Sequence, residues 1–179
     1  MARGLGINKR GFANSSVTRS VTSPIAGVEL SDPVSLYLPF DSDLNDDSTN
    51  AHSGTASGSA AISSTQAKFG GNSLSLNGTS QYVSYANDAD FQFGDGDFTI
   101  EAWIYQTADA GAEPPSQRHA IVGRMASTSD RSWNVDIRGV DSKQKLAFGW
   151  TTDGSSAKEF IYDCDATINN WHHIAICRS

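Results

Sequence analysis

Charge is scarce in this chain: 18% of its 179 residues are Asp, Glu, Lys or Arg, while Ser, Thr, Asn and Gly are abundant throughout. Long amphipathic helices need a charged outer face, so this composition favours many short strands joined by turns. The expected class is all-β. Cysteine is scarcer still. Cys164 and Cys177 are the only two, and two thiols in a chain of this length make no disulfide framework. Both fall in segments read as neighbouring strands, and buried free thiols are the preferred reading over a bridge.

No apolar run approaches the length of a membrane span, and the N-terminus has no continuous apolar core of the secretory kind. Met1 is therefore the expected mature start. Also missing are a phosphate-binding Gly-rich loop, a Gly-x-Ser-x-Gly elbow and a Cys-x-x-Cys pair. These gaps argue against nucleotide, serine-hydrolase and dithiol chemistry. The four histidines, His52, His119, His172 and His173, have no metal-ligand spacing; adjacent residues of a strand point to opposite faces, which separates the last two.

The length suits one domain with a sizeable core plus an appendage. Residues 1–32 show neither helical nor alternating periodicity, and they read as a flexible arm that orders on a partner. Arg3, Lys9, Arg10 and Arg19 stand there against Glu29 and Asp32, a net +2 within the −7 of the whole, which leaves −9 on the remainder. So acidic a body repels phosphate backbones, and no nucleic-acid partner is expected.

The domain is expected over 33–179. Asp32-Pro33 marks its boundary, and VSLYLPF follows as a first buried strand with Pro39 near its end suggesting an edge or a bulge. After a polar loop over 41–58, Leu74 and Leu76 alternate with serines, and Asn77-Gly78 predicts a hairpin to SQYVSYA. The strongest strand signal is FTIEAWIY, with Phe98, Ile100, Ala102 and Ile104 on one face and Thr99, Glu101, Trp103 and Tyr105 on the other. HAIVGRM, SWNVDIRG, QKLAFGWT, KEFIYD and WHHIAICR then recur with polar turns between them, a spacing that argues for a sandwich or barrel.

Four segments, YLPFDSDLNDDS, KFGGNSLSLNGTSQYVSY, GDFTIEAWIY and NWHHIAICR, stand in an order that resembles the laminin G-like, concanavalin A-like lectin/glucanase superfamily of bacterial and phage surface proteins. The resemblance implies a two-sheet antiparallel jelly-roll sandwich, with Trp103 and Trp171 filling core volume and His173 held inside by hydrogen bonds. Family members normally continue beyond the WHHIAICR strand, so the sandwich as given is expected to lack its last strands; either the gene product continues past Ser179 or a neighbouring chain covers the open edge.

Relatives often hold calcium at one edge, and Asp41, Asp43, Asp46 and Asp47 could supply several of the six to eight oxygens it needs. The alternative is a solvated loop that satisfies its own backbone; no cofactor is required. Other relatives cleave glucans with carboxylates alternating on one strand, where this chain offers only Glu101, so no enzyme is expected. Carbohydrate stacking could use Tyr82, Tyr85, Tyr105 or Trp150, each of which could equally be core.

The functional expectation is a non-catalytic structural or adhesive protein of a phage particle, in its tail, fibre or capsid decoration. By analogy with such proteins, the basic arm and the open edge would join other virion proteins in a larger assembly, and the sandwich would face a host glycan. The alternatives are a carbohydrate-binding module of a bacterial surface protein and, last, a glycoside hydrolase.

Overall fold

A computed structural model describes residues 2–8, 34–94, 96–110, 118–127, 130–140, 143–151, 158–164 and 166–179. The described chain is all-β with antiparallel sheets, in keeping with the β-sandwich class; its only helical turn is a short 3-10 segment at Ala89–Phe91. It divides into two compact units, Met1–Ile104 with His173–Ser179, and Tyr105–His172.

In the first unit, β1 (Ala2–Asn8), β2 (Val34–Leu38), β4 (Ala61–Ser63), β5 (Ser73–Ser75), β7 (Phe98–Tyr105) and β12 (Trp171–Arg178) form one sheet. Its order is β12-β7-β1-β5-β4, with β2 beside β1. The alternation read in β7 is realised: Phe98, Ile100, Ala102 and Ile104 are all buried, while Glu101, Trp103 and Tyr105 opposite are half-buried. Each such large apolar side chain contributes roughly 1.5–3 kcal/mol on burial. Leu36, Leu38, Phe40, Leu74, Phe91 and Phe93 complete this core, and Phe93 stacks on Phe98 with centroids 4.4 Å apart. Arg178 closes the end of β12 by donating to the carbonyls of Phe93, Gly94 and Gly96.

Two readings change here. Ala2–Asn8, placed in a flexible arm, is a strand that pairs with β7 on one side and with β2 and β5 on the other. Its apolar alternation is only Leu5 and Ile7 between glycines, too short to register as a pattern, and its partners lie far along the chain. Of the arm residues, Arg3 falls on β1, while Lys9, Arg10 and Arg19 lie outside the described residues.

The hairpin predicted at Asn77-Gly78 does not form. The turn exists, with Asn77 Oδ1 accepting from the amides of Thr79, Ser80 and Gln81 and Gly78 at φ +73°. Yet β5 before it pairs with β4, whereas β6 (Tyr82–Ser84) after it pairs with β3 (Thr55–Ser57). Turn chemistry is local and strand pairing is not, so the two pairs nest instead of facing each other.

The second unit is a four-stranded antiparallel meander, β11-β10-β9-β8, from β8 (Arg118–Ser127), β9 (Asp130–Val140), β10 (Lys143–Trp150) and β11 (Lys158–Asp163). Trp133, Val135, Ile137, Ala147 and Ala110 are its buried apolar residues. The Gln144 side chain holds Ala110 by both its amide and its carbonyl, at 3.0 and 3.1 Å.

Candidate functional site on the polar face of the β8–β11 sheet

On β9 the residues alternate strictly: Trp133, Val135 and Ile137 go to one face, Asn134, Asp136 and Arg138 to the other. Register extends the polar face across the sheet. Asp136 lies between Ala120 of β8 and Ala147 of β10, Asn134 lies between Gly123 and Gly149, and Glu159 of β11 stands opposite Gly149. The floor beside these polar groups is therefore made of small residues. A Cβ at Gly149 would come within 2.7 Å of Asn134 Oδ1, so a larger residue there would have to displace the Asn134 amide.

The polar groups bind one another. Asn134 Nδ2 donates to Asp136 Oδ2 at 2.7 Å, Arg138 Nε to Asp136 Oδ1 at 2.5 Å, and Arg138 Nη2 to both Asp136 Oδ2 at 3.1 Å and Glu159 Oε1 at 2.5 Å. Asp136 and Arg138 are buried, whereas the Glu159 side chain is 35% exposed and that of Arg118 44%. Hydrogen bonding to Arg138 holds the Glu159 carboxyl below its ordinary value, against a smaller opposing effect of burial. Burial alone would lower Arg138, but its bonds to Asp136 and Glu159 outweigh that and raise it. The result is a fixed network that presents Arg118 and Glu159 at its accessible margin.

The opposite face is aromatic. Phe148 and Trp150 of β10 stack with centroids 5.6 Å apart, Trp150 stacks on Phe160 of β11 at 5.0 Å, and Phe160 meets Tyr162 at 6.4 Å. Phe160 and Tyr162 are more than half exposed. Trp150 is thus spent on its neighbours' rings, as is Tyr105, which tilts against Trp171 at 5.4 Å. Tyr85 is half-buried and donates to Leu44 O at 2.6 Å; burial, then the charges of Asp46 and Asp43, raise its phenol. Of the four proposed stacking residues only Tyr82, on β6, stands largely exposed.

The Asp-rich loop proves to be an organised turn. Asp46 is buried, and its carboxylate accepts from the amides of Tyr37, Ser48 and His52 and from the Ser48 hydroxyl. Asp43 accepts from the Asn45 amide, while Asp41 contributes its backbone carbonyl to Asn72. Asp47 is exposed; its carboxyl is raised, chiefly by partial burial and then by the charges of Asp43, Asp46 and Asp41. Among the described residues no three His, Cys, Asp or Glu side chains are placed to hold a metal, these four included.

Three further expectations are adjusted. His173, expected inside, is 42% exposed and lies 3.4 Å from Glu101. Trp103 is half-buried, with Lys68 over its ring at 4.3 Å, so the fully buried indole of the described chain is Trp133. The thiols are free, but Cys164 is half-buried and follows the end of β11, while Cys177 is exposed and lies on β12, a strand of the other sheet. The polar β9 face carries no row of alternating carboxylates; its sequence signal is the mixed run Asn-x-Asp-x-Arg at 134–138.

Comparison with known proteins places residues 77–179 under a family model described as the concanavalin A-like lectin/glucanases superfamily. That match contains β7 to β12 and with them the whole polar face. No curated protein and no solved structure matches the chain.

Proposed function

The chain belongs to the concanavalin A-like lectin/glucanase superfamily, and from that premise we propose that it is a non-catalytic module binding a saccharide on the polar face of the β8–β11 sheet. The observation that carries this reading is the accessible pair Asn134 and Glu159, held in place by the buried Asp136 and Arg138 and set beside the exposed Ala120 and Gly123 of β8. Side chains fixed in this way beside small exposed residues suit a ligand rich in hydroxyls, because it can approach over β8 and its hydrogen bonds require no reorganisation.

Catalysis is disfavoured by the same geometry. Glycoside cleavage needs one carboxyl kept protonated near neutrality, and Glu159 is pulled the other way by Arg138. Glu101, on the other sheet, is engaged with His173.

A glycan array probed with the natural chain and with the Asn134→Ala/Glu159→Ala double variant tests the reading. Binding that is abolished in the double variant, with no reducing ends released from any ligand bound, is expected. A flat array, binding indifferent to the two changes, or turnover would each overturn it.

As to setting, we place the module in a structural or adhesive protein of a phage particle, with a bacterial surface as the alternative. Its support is the basic composition of residues 1–32. Replacing Lys9, Arg10 and Arg19 by Gln should then prevent incorporation into particles; unimpaired incorporation would remove that setting and leave the saccharide reading untouched.

A further inference from the structure

Strand register on the polar face sets cations side by side. Arg118 of β8 is directly opposite Arg138 of β9, and Arg138 is directly opposite Lys145 of β10, so three positive side chains cross the sheet in one row. Like charges in opposed positions are unfavourable. Within this face two of the three are neutralised: Arg138 by Asp136 and Glu159, and Lys145 by Asp163 at 3.1 Å.

Arg118 is different. Among the described residues its nearest carboxylate oxygen is Asp136 Oδ2 at 3.8 Å, an ion pair beyond hydrogen-bond range on a carboxylate already accepting from Asn134 and Arg138, and Glu159, which its charge also reaches, is hydrogen-bonded to Arg138. It is also the most exposed of the row, at 44% against 10% for Arg138 and 19% for Lys145. A guanidinium offers a planar fork of donors that matches a carboxylate bidentately, and here that fork stands at the rim of a face whose own acids are occupied.

We propose that the ligand is an acidic saccharide, and that Arg118 is the residue that receives its carboxylate while the Asn134 and Glu159 side takes hydroxyls. The inference rests on the saccharide reading above and narrows it to a substrate class. The whole chain carries −7, which repels anions at long range. Selection of an acidic sugar must therefore come from this local cation.

Calorimetric titration with an oligogalacturonate and with its methyl ester tests it, since esterification removes the charge and keeps the sugar. A sialylated oligosaccharide and its ester provide a second carboxylate geometry. For at least one pair the acid should bind about tenfold or more tightly than the ester. Arg118→Gln should reduce the acid to the level of the ester without altering the melting midpoint, and Arg118→Lys should fall between.

Equal binding of acid and ester in both pairs, or a preference that survives in Arg118→Gln, overturns the proposal. If neutral glycans still bind through Asn134 and Glu159 in that case, the saccharide reading stands alone. Failure of every glycan, acidic or neutral, removes both.

Discussion

Asp136 and Arg138, two residues apart on β9, share one face and are joined by two contacts, Nε to Oδ1 at 2.5 Å and Nη2 to Oδ2 at 3.1 Å. Both side chains are buried. A buried pair of this kind gains little over an apolar pair of the same volume, because desolvation of both ions offsets their attraction. Breaking it is another matter, since without Arg138 the buried Asp136 keeps only Asn134 and the more distant Arg118, and without Asp136 the buried Arg138 keeps only Glu159.

Arg138→Met alone should therefore lower stability by about 3–5 kcal/mol, as should Asp136→Leu. The double variant should recover most of that loss, since neither charge remains, although saccharide binding would be lost. Urea denaturation of the four proteins measures the coupling. Additive losses in the double variant would mean that the two side chains act independently.

Glu159 gives a pH dependence of known sign. Its folded carboxyl lies below the ordinary 4.5, held there first by the hydrogen bond from Arg138. The stabilisation is present above the unfolded value and disappears as pH falls through the folded one. The urea midpoint should thus decline on acidification below about 4.5, and Glu159→Gln should remove this part of the decline. A Glu159→Gln profile identical in shape to the natural one would show that the contact is not formed in solution.

Asp46 gathers four donors into one buried carboxylate: three amides, from Tyr37, Ser48 and His52, and the Ser48 hydroxyl. Asp46→Ala should cost about 2–4 kcal/mol, because those donors lose a charged acceptor together. The same arrangement leaves Asp46 little capacity for a cation, so millimolar calcium or EDTA should leave the melting midpoint unmoved. A calcium-dependent rise that vanishes in Asp43→Asn would reverse that view of the loop.

These elements differ in how far the sequence announced them. Strand β7 was legible because Phe98, Ile100, Ala102 and Ile104 repeat at period two for a full eight residues, and period two is all that a strand with one buried face requires. The last five strands were legible from their spacing. Strand β1 was not: it pairs with β7 and β2, strands about 100 and 30 residues further along, and nothing in the composition of Ala2–Asn8 states that. The site was half legible. Asn134, Asp136 and Arg138 were visible as an alternating polar set, but Glu159 and Arg118 join them only through the registers of β11 and β8. The Asp loop could be read as polar, yet which carboxylate turns inward depends on where the Tyr37, Ser48 and His52 amides converge in space.

Gly58 and Gly78 test the nested turns between β3 and β6 in a way that separates backbone strain from steric contact. Both have positive φ, +61° and +73°, a conformation that costs an L side chain about 1 kcal/mol or slightly more. A Cβ at Gly78 would meet nothing within 4 Å, whereas at Gly58 it would lie 2.4 Å from the carbonyl oxygen of Ser80, a backbone atom held between the two turns. Gln81 Nε2 donates to Ser59 O at 3.0 Å across the same junction, so relief by moving the turns apart would stretch that bond as well. Gly78→Ala should accordingly lower the melting midpoint by about 2–4 °C, and Gly58→Ala by at least roughly twice as much. Equal shifts would mean that the turns are not packed together, and the nested pairing of β3 with β6 around β4 and β5 would lose its steric basis.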